Sequence, residues 1–283
     1  MRRDLPWKVL GSALGLLGLL GGLLGLLLLG SPARAGEGCD PCRVAGGTYR
    51  VLAPADWDGH TRLPTLIFLH GTAGPGIDVR ENLDITGPAD RLGWLLVVPS
   101  GVNRRWSHQG APALLRDDRS FLRAVLADVK KRWPADPHMI VLGGFSDGAS
   151  MVWDMACLAP LGFAAFLPFS GGFWERMPTA CTAPVNLRHV HGAADTVVPL
   201  AGRTVREHWH QADILEGFRI WRETDRCTVP PAHTHEDGGL SCEVWSCRTR
   251  RTLELCLQPG GHELRSVWLE EGLRWARGLV PPR

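Results

Sequence analysis

From Met139 to Met151 the chain reads Met-Ile-Val-Leu-Gly-Gly-Phe-Ser-Asp-Gly-Ala-Ser-Met, with Ser146 midway between Gly144 and Gly148. A serine with glycine two residues away on each side fits a sharp turn from strand to helix, which lifts a nucleophilic hydroxyl clear of its neighbours. The glycines are a steric requirement, because a side chain at either position would crowd the tight backbone. Such a serine performs acyl transfer only when a base takes its proton and an acid orients that base. Backbone N–H groups must also receive the charge that develops on the attacked oxygen.

Two downstream stretches offer the acid and the base. Asp195 lies in His191-Gly192-Ala193-Ala194-Asp195-Thr196-Val197-Val198-Pro199, and His262 closes Gln258-Pro259-Gly260-Gly261-His262. Serine, acid and histidine thus follow in one of the chain orders known for this chemistry. Asp195 would hold an imidazole in the useful tautomer and stabilise its cation, while His262 would accept the serine proton and return it to the leaving group. A carboxylate after a strand is commonplace. A histidine on a flexible Gly-Gly turn has fewer packing reasons to be there, so it is the more pointed sign. The turn His70-Gly71-Thr72-Ala73-Gly74 can face a backbone N–H toward an oxyanion, with the N–H of Asp147 as the matching donor. The same glycines also suit a plain chain reversal.

These groups need a scaffold that brings loop ends together. Residues 48–52, 66–70, 94–99, 140–142, 163–169, 185–190 and 253–257 read as strands. Asp117 or Asp118 caps a helix to about Trp133, with Phe121, Leu122, Val125, Leu126 and Val129 on one face. A second helix runs from Ala149 to about Leu158, after the serine, and a terminal helix follows His262. Such alternation predicts an α/β domain with a mainly parallel sheet covered on both faces, whose working residues lie at the carboxyl ends of the strands. No internal repeat interrupts residues 36–283, so one domain is expected there.

In this order of motifs the chain resembles the exported α/β-hydrolase esterases that include polyhydroxybutyrate depolymerases, feruloyl esterases and acetylxylan esterases. The resemblance rests on His70-Gly71, Val98-Pro99-Ser100-Gly101 followed by Trp106, Asp117-Asp118 with Phe121, Gly144-Phe145-Ser146-Asp147-Gly148, His191-Gly192 with Asp195 and Val198-Pro199, and Gly260-Gly261-His262. It implies Ser146 as nucleophile, Asp195 as acid, His262 as base and the backbones of Thr72 and Asp147 as oxyanion donors. It departs from the family at Glu263-Leu264-Arg265, where members often carry Trp-Pro-Gly, and at Asp147, where Asn is more frequent. A carboxylate beside the nucleophile bears on charge preference. With no polymer-binding module after the histidine, small or oligomeric soluble esters are expected ahead of insoluble polyester. A peptidase of the same fold and a non-catalytic carbohydrate-binding protein are the rival readings. The first usually brings an additional domain that restricts access, and nothing about binding demands the three residues together.

The chain of 283 residues carries a formal net charge of +2. Arg2, Arg3, Lys8 and Arg34 against Asp4 concentrate positive charge in residues 1–35, and the remainder has no basic footprint for nucleic acid. That opening segment, with its long Leu-Gly run and Ala33-Arg34-Ala35, reads as an export signal; an uncleaved anchor is the alternative, and the only basis for membrane association. A secreted, periplasmic or extracellular destination suits the eight cysteines, all beyond residue 35. A hairpin centred near Thr249 would set Cys242 opposite Cys256, and Cys227–Cys247 and Cys157–Cys181 would then pair. Cys39 and Cys42 have metal-like spacing without a second such pair, so their state stays open. Residues 233–237 hold His233, His235, Glu236 and Asp237, loosely ligand-like but read as a solvated turn. No metal or cofactor is expected. Trp106, in the loop after residue 99, is a candidate platform for an acyl or aryl group, or else a packing residue among 12 tryptophans.

Overall fold

The computed structural model describes residues 39–72 and 79–279. The expected export signal, and Ala73 and Gly74 of the turn after His70, lie outside the described residues. In chain order the elements are β1 (Cys42–Val44), β2 (Gly47–Leu52), β3 (Leu63–Leu69), a 3₁₀ turn (Val79–Glu81), α1 (Leu83–Arg91), β4 (Leu95–Pro99), α2 (Asp118–Arg132), β5 (Ala135–Phe145) and α3 (Asp147–Leu158). They continue with β6 (Ala165–Phe169), β7 (Leu187–Gly192), β8 (Arg203–Val205), β9 (Trp209–Gln211), α4 (Ile214–Asp225), β10 (His233–Asp237), β11 (Leu240–Ser246), β12 (Thr252–Gln258) and α5 (Ser266–Gly278).

Ten strands form one sheet in the order β1-β2-β4-β3-β5-β6-β7-β12-β11-β10. The six from β4 to β12 are mutually parallel, and both margins are antiparallel. The parallel strands read as unbroken apolar runs because both of their faces are covered. In β3, Leu66 and Phe68 join the layer that contains Ile85 of α1 and Trp268, Leu269 and Leu273 of α5. The alternate residues Ile67 and Leu69 join Phe121 and Val125 of α2, Met151 and Val152 of α3 and Phe218 of α4. An α/β sheet covered on both faces is therefore as expected, and Asp117 caps α2 by accepting Ser120 N–H.

Several local expectations are corrected. The strand before the serine does not stop at Leu142; β5 passes through both glycines, and a Cβ on Gly143 would stand 3.2 Å from side-chain carbons of Leu66 and Phe68. Glycine there lets β5 sit close to β3 rather than ending it. Residues 233–237 are not a solvated turn but the edge strand β10, paired antiparallel with β11. Helices α1 and α4 add to the helices expected from the sequence. Gly87 and Pro88 interrupt the first, while Asp213 caps the second.

Four disulfides join Cys39–Cys42, Cys157–Cys181, Cys227–Cys247 and Cys242–Cys256. The last pair sits in direct register across β11 and β12. Cys157–Cys181 closes a 24-residue separation at the far end of α3, a loop length for which chain entropy gives about 3 kcal/mol. It thus anchors the helix whose first turn follows Ser146.

Candidate active site

Ser146 occupies the step between β5 and α3 with φ 57° and ψ −118°. A non-glycine residue at positive φ is strained by about 1–3 kcal/mol, so its surroundings must hold it. Ser146 N–H donates to Phe169 O at 2.9 Å, and Ser150 N–H donates to Ser146 O at 3.0 Å. Backbone also closes in on the glycines. A Cβ on Gly148 would meet Leu69 O at 2.2 Å, and one on Gly171 would meet Ser146 O at 2.5 Å.

The parallel pairing of β7 with β12 sets Gly192 beside Gln258, so the loops after these strands emerge together. Asp195 comes from one and His262 from the other. His262 Nδ1 lies 2.7 Å from Asp195 Oδ2, and its Nε2 lies 2.9 Å from Ser146 Oγ. The carboxylate can only accept, so Nδ1 carries the proton and Nε2 offers its lone pair to the serine hydroxyl. The Asp195 side chain is fully buried. Its other oxygen accepts the N–H groups of Val197 and Val198, each at 2.8 Å.

The Gly-Gly turn before His262, expected to be flexible, is braced by Gln258. This buried amide donates to Gly261 O at 2.8 Å and accepts the Gly260 N–H. A second brace runs behind Asp195. Trp153 Nε1 donates to His189 Nδ1 at 3.3 Å, His189 Nε2 to His191 Nδ1 at 3.0 Å, and His191 Nε2 to Val198 O at 2.7 Å. The indole can only donate and the carbonyl only accept, which fixes every proton in the series. Burial pushes both histidines below the usual imidazole range, matching the neutral forms that this series requires.

On the opposite wall, Gly71, Thr72 and Asp147 line the cleft above Ser146. His70 Nδ1–H donates to Gly71 O at 2.8 Å, and its Nε2 accepts Gly101 N–H at 3.1 Å. Burial lowers the His70 pKa, keeping the neutral ring that can do both. Because the Gly71–Thr72 peptide is planar, fixing the carbonyl fixes the direction of the Thr72 N–H.

The Asp147 side chain is bound to the neighbouring loop. Oδ2 accepts Trp106 N–H at 3.0 Å, and Oδ1 lies 3.2 Å from Nε2 of the buried His108. Trp106 corrects the expectation of a substrate platform: it is 1% exposed, and its Nε1 donates to His70 O at 2.8 Å. The ring is therefore buried in packing, against His70 among others, and its N–H holds the turn, leaving no exposed face for a ligand. The ligand-like residues at 233–237 lie elsewhere, where His235 Nε2 meets Glu254 Oε1 at 2.5 Å and Arg188 pairs with Asp237 and Glu254. No sign of these braces is legible in the sequence: Gln258 acts on the turn two and three residues ahead of it, while His189 and His108 also meet the distant Trp153 and Asp147.

Residues 109–217 match the family model described as Phospholipase/Carboxylesterase, a stretch that includes Ser146 and Asp195 and ends before His262. Over 224 residues the chain is 25% identical to "Probable feruloyl esterase C" of Aspergillus niger, covering 70% of this chain and 77% of that protein. Over 156 residues it is 28% identical to the bifunctional acetylxylan esterase/xylanase XynS20E of Neocallimastix patriciarum, covering 54% of this chain and 22% of that one. Among solved structures, the acetyl xylan esterase from Aspergillus awamori superposes with a TM-score of 0.60 at 14% identity, covering 82% of this chain and 94% of that chain. The fold is that of the α/β-hydrolases, and the relatives support an esterase.

Proposed function

We propose that this chain, an esterase of the α/β-hydrolase superfamily, hydrolyses small or oligomeric carboxylic esters through Ser146, His262 and Asp195. The observation that carries the reading is the continuous hydrogen-bonded series from Ser146 Oγ through His262 to the buried Asp195 carboxylate. In the first half-reaction Ser146 Oγ attacks the ester carbonyl as His262 Nε2 takes its proton. The tetrahedral oxyanion is received by the backbone N–H groups of Thr72 and Asp147, at the turn after β3 and the start of α3. Collapse expels the alcohol, which leaves with the proton from His262. Water then repeats the sequence on the acyl-serine and releases the acid. Asp195 stabilises the transient imidazolium without taking its proton.

The substrates we propose follow from the relatives' names and from the cleft, about 330 Å³ in volume. They are feruloyl or acetyl esters, to which the sequence resemblance adds short hydroxyacid oligomers. We also propose that residues 1–35 direct export and that 36–283 form one catalytic domain, consistent with the four disulfides. The test is to treat residues 36–283 with a fluorophosphonate, locate the adduct by mass spectrometry, and assay methyl ferulate, acetylated xylan and 3-hydroxybutyrate oligomers. An adduct on Ser146 with hydrolysis of at least one substrate supports the reading. A folded protein that takes no label and cleaves none of them contradicts it.

A further inference from the structure

The cleft over Ser146 is lined by Arg105, from the loop after β4, and by Arg203 and Arg206, from the β8–β9 ribbon. Among the described residues the side chains of Arg105 and Arg206 make no hydrogen bond or ion pair. Arg203 donates only to neutral acceptors, Gln211 Oε1 at 2.9 Å and Thr196 O at 3.4 Å. Asp147 is the sole carboxylate among the lining residues, and its oxygens are committed to Trp106 and His108. Glu207, next to Arg206, does not line the cleft. Three guanidinium groups therefore border the cleft over Ser146 without a carboxylate among the described residues to neutralise them.

Guanidinium is the side chain whose planar fork binds carboxylates through paired hydrogen bonds, and it stays charged at every working pH. A concave wall of one sign also concentrates ligands of the opposite sign. Neither property helps a neutral ester. Resting on the esterase reading, we propose that the preferred substrates carry a carboxylate elsewhere in the molecule, which Arg105, Arg203 and Arg206 bind while Ser146 attacks the ester. The single Asp147 carboxylate beside Ser146, whose oxygens face Trp106 and His108, is outnumbered by the three guanidinium groups.

The experiment compares kcat/KM for two matched pairs at low ionic strength. Ethyl hydrogen adipate against ethyl adipamate places the charge on the acyl side, and acetoxyacetate against acetoxyacetamide places it on the alcohol side. In at least one pair the anion is expected to be favoured by about tenfold or more, the scale on which a charged cleft raises encounter rates. That ratio should collapse toward one in 0.5 M salt, to which exposed charges are sensitive at about a 3–10 Å screening length. It should also fall in Arg105→Gln, Arg203→Gln and Arg206→Gln, with the lysine variants retaining part of it. Equal or slower cleavage of the anion in both pairs, while the amides are cleaved and Ser146→Ala abolishes that cleavage, overturns the anion proposal and leaves the esterase reading standing. Cleavage of none of the four, nor of 4-nitrophenyl acetate, overturns both.

Discussion

Asp147 accepts the backbone N–H of Trp106 at 3.0 Å, so the residue beside Ser146 is tied to the loop that walls the cleft. Its second oxygen meets His108 at 3.2 Å. Truncation in Asp147→Ala would leave these donors without their acceptor, at about 1–3 kcal/mol for each buried group. We predict a lower Tm and a reduced kcat/KM for Asp147→Ala. Asp147→Asn, which keeps an acceptor for Trp106, should lose distinctly less of both. Thermal unfolding alongside ester kinetics checks this ordering, and two variants with identical losses would contradict it.

His70 should act through the peptide it holds. With Gly71 O and Gly101 N–H both bound to its ring, His70→Ala frees the peptide that carries the Thr72 N–H. The expected effect is a fall in kcat with little change in KM, bounded by the loss of about a hundredfold or more seen when an oxyanion donor is removed. A KM effect alone, measured with a neutral ester, would exclude a role in transition-state binding.

Asp225 supplies a pH dependence of stability away from the site. It is fully buried, with Oδ1 accepting Val185 N–H at 3.3 Å and Oδ2 without a hydrogen bond. Burial raises its carboxyl from 3.8 to about 7. Between those values the folded protein keeps a proton that the unfolded chain gives up, so this residue's contribution to stability is complete below pH 3.8 and declines as pH rises to about 7. Above that, both states are ionised and the full penalty remains, on the order of 2–4 kcal/mol. Asp225→Asn should therefore be more stable than wild type at pH 8, with the gap closing toward pH 4. Urea unfolding across that range measures it, and a gap that widens on acidification would contradict the assignment.

How much of this was legible in the sequence varies by element. The run at 66–70 announces a parallel strand because both of its faces are buried, whereas β10, exposed along one edge with the sequence His-Thr-His-Glu-Asp, offers no such run. Asp195 and His262 can be found because each follows a strand, and the adjacency of β7 and β12 then brings their loops together. The Cys242–Cys256 pair was readable from hairpin register alone. What holds these groups was not readable. Gln258 acts on a turn of its own chain but could as well have been a solvent-facing strand end, and the Asp147 contacts cross 41 and 39 residues of sequence. Trp106 shows the limit most plainly, since proximity to the site does not reveal which way a ring faces.

The central claim is tested most directly by kcat/KM of Ser146→Ala for 4-nitrophenyl acetate, with circular dichroism and disulfide mapping on the same preparation. The variant should fold, keep its four disulfides and lose turnover by about 10⁴-fold or more. A correctly folded Ser146→Ala that hydrolyses the ester near the wild-type rate would contradict the account.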